Sequence, residues 1–301
     1  MPTETIMNPE FTVQSPESEV RGQESEEQIL AENRFYWRES GGLKILVARA
    51  LEEAGFLNGF STRAGGVSDF PENSLNLAGY DEDAAENIAE NRRRFLRALG
   101  GEDYRLASCW QIHSAAVRVV ENREDAADGE HRMDALVSDA RGVLLGVKTA
   151  DCVPILMADP LTKSFAAVHA GWRGTVESIA RRAIEKMREL YGAEPENIIA
   201  AIGPAASCRS YEVGRDVIDA FRANFADADG LFAGTREGHA LIDLHAANRD
   251  QLIADGVAPK NISAAPLCTM ERTDLFFSYR REKKLYGKTG RLMAVVGRSA
   301  V

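Results

Sequence analysis

Val143–Arg181 reads VLLGVKTADCVPILMADPLTKSFAAVHAGWRGTVESIAR, and its apolar spacing sets the expectation for the fold. Val143–Val147, Val153–Met157 and Phe165–Val168 are short apolar runs of the length of buried strands, and they are expected to share one sheet. Thr149-Ala150-Asp151-Cys152 separates the first two, and the third runs into His169 and the turn Gly171-Trp172-Arg173-Gly174. Val176, Ile179, Ala180, Ala183, Ile184, Met187 and Leu190 then recur at helical spacing along one face. Strand, turn and helix in this order point to an α/β fold.

Cys152 and His169 each fall at the end of a predicted strand, where folds present reactive side chains. The turn after His169 opens a helix, whose first amides favour an anion, and Arg173 adds a fixed positive charge beside Gly174. A phosphate-sized anion is the expected guest. Each residue also has a structural reading: an apolar-flanked cysteine serves as a small core residue, and a single histidine is commonly satisfied by one hydrogen bond.

Working outward, the chain has 301 residues, 45% of them hydrophobic, enough for a sizeable core. Its formal net charge of -10 argues against a nucleic-acid partner, which needs a basic face. No apolar run approaches the roughly twenty residues of a membrane span, and the start lacks the order of a signal peptide. A soluble, cytoplasmic protein is expected. Cys109, Cys152, Cys208 and Cys268 form no CxxC pair, so neither a zinc knuckle nor a disulfide framework is suggested. Residues 1–30, with seven glutamates against the single Arg21, read as a disordered acidic tail, leaving 31–301 as the folded part.

In that part Ile45–Ala48 reads as a strand, Leu51–Gly55 as a turn and Asp83–Leu99 as a surface helix stopped by Gly100-Gly101. Arg63 beside Gly65-Gly66 suggests either an anion-cradling loop or a plain surface turn. His113 is either a metal ligand or catalytic base, or a structural histidine. Val213, Val217, Phe221 and Phe225 are expected along a helix, and Leu241 is expected to open another, with Asp243 as N-cap. Ile262–Leu267 and Leu292–Val296 read as strands. Phe276-Phe277-Ser278-Tyr279-Arg280-Arg281 sets rings beside arginines, so that Phe277 stacks on a planar base while Arg280 meets an anion, or else the rings belong to the core.

Two imidazoles and a thiolate, from His113, Cys152 and His169, form a set that can hold zinc with a fourth position open, although their separation in sequence is long. Taken in order, QIHSAAV, DALVSD, TADCVPIL, AVHAGWRGT, IGPAASCRSYEVG, DLHAANRDQL, FFSYRRE and TGRLMAVVG resemble the YfiH-like laccase-domain family, formerly labelled polyphenol oxidases and now regarded as purine nucleoside phosphorylases. The resemblance spans roughly Gly59–Gly297. It implies His113, Cys152 and His169 as zinc ligands, and a single α/β domain with a curved mixed β-sheet flanked by α-helices. It also implies phosphorolysis of adenosine, inosine and methylthioadenosine, with adenosine deamination alongside; the sequence leaves both a monomer and a homodimer open. Family members commonly carry His-Gly-Phe-Ser-Thr-Arg where this chain has Asn58-Gly59-Phe60-Ser61-Thr62-Arg63.

On this reading Arg63, Arg173 and the helix start after Gly174 hold phosphate, and Asp151 is the candidate proton shuttle beside Cys152. A four-copper oxidase needs on the order of ten histidines, and the chain has five. Copper at one Cys/His2 site is the form in which phenol oxidation remains open. Two further readings stand beside the phosphorylase: a hydrolase with Cys152 as nucleophile, and a non-catalytic nucleoside- or metal-binding module.

Overall fold

Continuous apolar strands are stable only where both faces are covered, and this requirement shapes the molecule. In the computed structural model, which describes residues 25–79, 83–126 and 131–299, Val153–Ala158 and Phe165–Ala170 are antiparallel neighbours with every residue buried. Their side chains alternate between two cores. Ile155, Met157, Ala166 and Val168 pack with Ile179, Ala183, Ile184 and Met187 of the helix Ile179–Tyr191. Leu156, Ala158, Phe165 and Ala167 face the opposite way, into a second core.

That second core lies between two six-stranded mixed sheets. One runs, edge to edge, Ile262–Ala264, Ile199–Ile202, Val153–Ala158, Phe165–Ala170, Ala135–Ser138 and Val117–Val119. The other runs Phe35–Ser40, Leu43–Ala48, Phe56–Ser61, Leu292–Arg298, Val143–Thr149 and Arg105–Ala107. Phe60, Leu145, Val147, Ala294 and Val296 of the second sheet meet the first across the shared core. The three runs of the opening stretch therefore do not share one sheet: Val143–Thr149 pairs with Leu292–Arg298, on the far side of the core. A strand buried on both faces carries no mark of its neighbours, so its partner is set by long-range pairing.

Helices cover the outer faces, and Glu212–Gly214, His239–Ile242 and Phe232–Arg236 form a small third sheet. The architecture is a single α/β domain with curved mixed sheets flanked by helices. Several local expectations shift. The single helix expected after His169 is two, Trp172–Val176 and Ile179–Tyr191, broken where Ser178 takes a left-handed φ of 59°. Leu190, in the last turn of the second helix, is exposed. Val213 and Leu241 are strand residues preceding their helices, although Asp243 is the expected cap and accepts from the Ala246 amide at 2.9 Å. Leu51 lies in the helix Arg49–Glu53 rather than in a turn.

Part of the expected tail is also folded. Ser25 caps the helix Glu26–Glu32 in a reciprocal box with Gln28, and Leu30 is fully buried; the tail before Ser25 lies outside the described residues. No helix is long and apolar enough to cross a membrane among the described residues.

Candidate metal centre

Strand register brings the candidate ligands together. His169 pairs with Pro154 and Ala170 with Val153, so the end of one strand lies beside Cys152 at the start of the other. Cys152 follows the crossing from one sheet to the other, where Asp151 holds a φ of 86° that non-glycine residues rarely adopt. His113 arrives on the irregular segment between Arg105–Ala107 and Val117–Val119, also left-handed at φ 60°. The ligand atoms of His113, Cys152 and His169 all lie within 4.8 Å of one another, and Cys152 Sγ is 3.8 Å from His113 Nε2. Among the described residues this is the one such group able to hold a metal ion.

A buried carboxylate organises two of the three. Asp134, fully buried, accepts from the backbone amides of Ile112, His113 and Ser114 at 3.2, 2.9 and 2.7 Å, and from the Ser114 hydroxyl at 2.8 Å. Its Oδ1 is 2.9 Å from His169 Nδ1. With Nδ1–H donating there, Nε2 is the nitrogen left to face the cluster. Burial opposes the charge on Asp134, but the His169 and Ser114 contacts outweigh it and hold the carboxyl at about 2.

The thiol and imidazole polarise each other. Burial disfavours the Cys152 thiolate, yet His169 and His113 draw the thiol down to about 6. Burial likewise disfavours the His169 imidazolium, but Cys152 and Asp134 lift it to about 9. A thiolate with two imidazoles is the donor set of a zinc site. For a tetrahedral zinc with Zn–S of about 2.3 Å and Zn–N of about 2.1 Å, sulfur and nitrogen stand about 3.6 Å apart, close to the 3.8 Å seen for Cys152 and His113. The chain also leaves space: a β-carbon on Gly171 would stand 2.9 Å from His113 Cδ2 and 3.1 Å from Cys152 Sγ. The residues fit one such ion. They do not fit a multicopper centre, since His239 Nδ1 and His245 Nε2 face the carbonyls of Glu237 and Gly203.

The structure redistributes the other sequence candidates. Asp151 is nearly buried, and its carboxylate accepts from Thr269 Oγ1 at 2.7 Å, Ser278 Oγ at 3.0 Å and the Arg280 amide at 2.7 Å. Burial pushes its carboxyl above the ordinary value despite those donors. Arg63 turns inward, to Glu282 at 2.8 Å and the Thr273 carbonyl at 2.7 Å, with its guanidinium over the Phe277 ring. Phe277 is fully buried, so it is a core ring and not a face for a purine. Gly174 is a packing glycine: a β-carbon there would stand 3.2 Å from the Ser114 carbonyl oxygen. Arg173 is exposed, 4.2 Å above the Trp172 ring. Its helix of five residues is too short for a sizeable dipole, so its anion attraction rests on the guanidinium.

Arg280 is exposed too, lying over the Tyr211 ring at 5.0 Å and donating to the Glu212 carbonyl at 2.8 Å. Burial, with Cys152 and Asp151 nearby, pushes the Tyr211 phenol to about 12. Asn58, where the family commonly has histidine, is buried and bridges the amide and carbonyl of Ala48 at 2.9 and 3.1 Å, so it serves the sheet. Asp134 and Ser114 are the site residues that spacing missed. The signal available was an acid directly before the Ala135–Ser138 strand, in register with a histidine that is invisible until the strands pair.

An α/β domain with a two-histidine, one-cysteine cluster able to hold a metal ion is the class that fold and site define. The chain belongs to the family described as multi-copper polyphenol oxidoreductase laccase, whose model matches residues 57–299. A purine nucleoside phosphorylase of Deinococcus radiodurans is 44% identical over 238 residues, 79% of this chain and 87% of its own length. An adenosine deaminase, RL5, from an unknown prokaryotic organism is 38% identical over 230 residues, 74% of this chain and 87% of its own. The crystal structure of YlmD from Geobacillus stearothermophilus has a TM-score of 0.80 at 33% identity, covering 87% of this chain and 98% of that one.

Proposed function

We propose that this chain is a zinc-dependent purine nucleoside phosphorylase, converting adenosine, inosine or methylthioadenosine and phosphate to free base and a ribose 1-phosphate type product, with adenosine deamination as a side activity. The observation that carries the reading is the His113–Cys152–His169 cluster, whose ligand atoms lie within 4.8 Å of one another, in a chain similar to proteins of those two names.

Phosphorolysis moves positive charge onto the ribose and negative charge onto the departing base, so the site must hold phosphate and meet the base. Zinc, when bound, supplies a Lewis acid for the negative charge. Asp134 holds His169 in one tautomer and fixes the His113 loop through three amides. Exposed Arg173 and Arg280 supply cations for phosphate, a role that the inward turn of Arg63 leaves to them. Asp151, engaged on both oxygens, is assigned to holding Cys152 in place rather than to carrying protons.

The test is release of base from adenosine and inosine by zinc-loaded protein, with and without phosphate, beside Cys152→Ala. Phosphate-dependent release that the variant loses is expected; no release under either condition overturns the proposal.

One second reading has its own observation. Cys152, His169 and Asp134 also stand in the order nucleophile, base and orienting acid, with the thiol already drawn to about 6. Chelation separates the two readings, abolishing phosphorolysis but releasing the thiolate for hydrolase chemistry.

A further inference from the structure

We infer that the outer face of the helix Tyr279–Tyr286 and the loop after it is an anion-collecting surface that gathers inorganic phosphate at the metal centre. The inference deepens the phosphorylase reading and rests on it. In a chain of net charge -10, the thirteen residues 279–291 carry Arg280, Arg281, Lys283, Lys284, Lys288 and Arg291 against one acid, Glu282.

The structure sorts these charges. Glu282 faces inward, nearly buried, where Arg63 pairs with it at 2.8 Å and Thr289 Oγ1 donates to it. The outward positions Arg280, Arg281, Lys283, Lys284 and Lys288 are all exposed. Arg281 donates to the Met270 carbonyl and Lys288 lies over the Phe70 ring, and neither contact neutralises a cation. Lys283 and Lys284 have no carboxylate partner among the described residues.

The strip is anchored to the site. Ser278, which caps the helix, and the Arg280 amide both donate to Asp151, the residue next to Cys152. Lys283 and Lys284 follow within about one helical turn, roughly 6 Å of rise from Arg280. Charges this close along one helix act together, because the Debye length at physiological ionic strength is about 8 Å. Phosphate at neutral pH carries one to two negative charges. A cationic patch raises the local concentration and arrival rate of such an ion, an effect lost as salt rises.

The experiment measures kcat/KM for phosphate against potassium chloride concentration for the zinc-loaded full chain and for K283E/K284E and K260E. Lys260 is exposed and precedes the edge strand Ile262–Ala264, whose Ile262 pairs with Ala200 at the end of the first sheet away from Cys152. At low salt kcat/KM of K283E/K284E is expected to fall about five- to tenfold, with kcat unchanged and the loss vanishing near 0.5 M salt, while K260E follows the wild type. Equal curves for the two variants overturn the inference. Broadening of the phosphate 31P resonance by the same proteins provides a readout that does not depend on turnover. Salt-sensitive broadening weakened in K283E/K284E upholds the surface even if base release fails, and its absence from the wild type overturns it.

Discussion

Asp134 Oδ1 lies 2.9 Å from His169 Nδ1 while the same carboxylate accepts the His113 amide at 2.9 Å, so one buried acid orients two candidate ligands from different segments. Asparagine at this position keeps one acceptor and turns the other into a donor facing amides. Asp134→Asn is expected to weaken zinc binding about 10- to 100-fold, measured by competition with a chromophoric chelator. Unchanged affinity would show that the carboxylate does not organise the centre.

Gly171 offers a cleaner perturbation because its φ of -69° suits any residue. In Gly171→Ala the new methyl meets His113 Cδ2 at 2.9 Å and Cys152 Sγ at 3.1 Å, so the ligands must part. Metal content after dialysis is expected to drop severalfold while the apo protein melts within a few degrees of wild type. Full zinc occupancy in the variant would refute the crowding argument.

Metal-free Cys152 should react as a thiolate at unusually low pH. Its pKa is depressed to about 6, so the reactive form is present above that value and is lost as pH falls through it. Iodoacetamide labelling followed by peptide mass spectrometry is expected to show a midpoint near 6 for Cys152. Exposed Cys208, whose thiol is raised by burial and by Asp243, should label only at alkaline pH. Zinc should protect Cys152 alone, and a Cys152 midpoint near the ordinary 8.5 would contradict the thiolate–imidazolium pairing.

Asp151 separates a positioning role from a proton-shuttling one. Asparagine tolerates a φ of 86° and still accepts a hydrogen bond, whereas alanine strands the Thr269, Ser278 and Arg280 donors. Asp151→Ala is expected to lose about 2–4 kcal/mol of stability and Asp151→Asn about 1 kcal/mol or less, read by chemical denaturation. In cobalt-loaded protein the thiolate-to-metal absorption should survive in the asparagine variant and shift in the alanine one. Loss of all turnover in Asp151→Asn with an unaltered cobalt spectrum would restore the proton-shuttle role.

The strand lengths and the helix face that carries Met187 were readable because they are local. A buried strand is a run of apolar residues, and a helix face repeats every three to four. The same locality explains the misreadings. Val176 fits the helical period of Ile179–Met187 but stands before a break at Ser178, whose left-handed turn leaves no mark in the apolar pattern. Phe277 and Arg63 looked like a ring and a cation for a ligand, and the fold turned both inward, with Glu282 answering the charge.

By itself the sequence determined which segments are buried, the donor types of a metal centre and, through the order of its motifs, the family. Only the tertiary structure decided that Val143–Thr149 crosses to the other sheet, that Asp134 stands behind His169 and that Asp151 answers to Thr269 and Ser278. Burial of apolar surface is written residue by residue along the chain. The sheet crossing and the hydrogen bonds just named join residues 35 to 151 positions apart, and no local pattern encodes them.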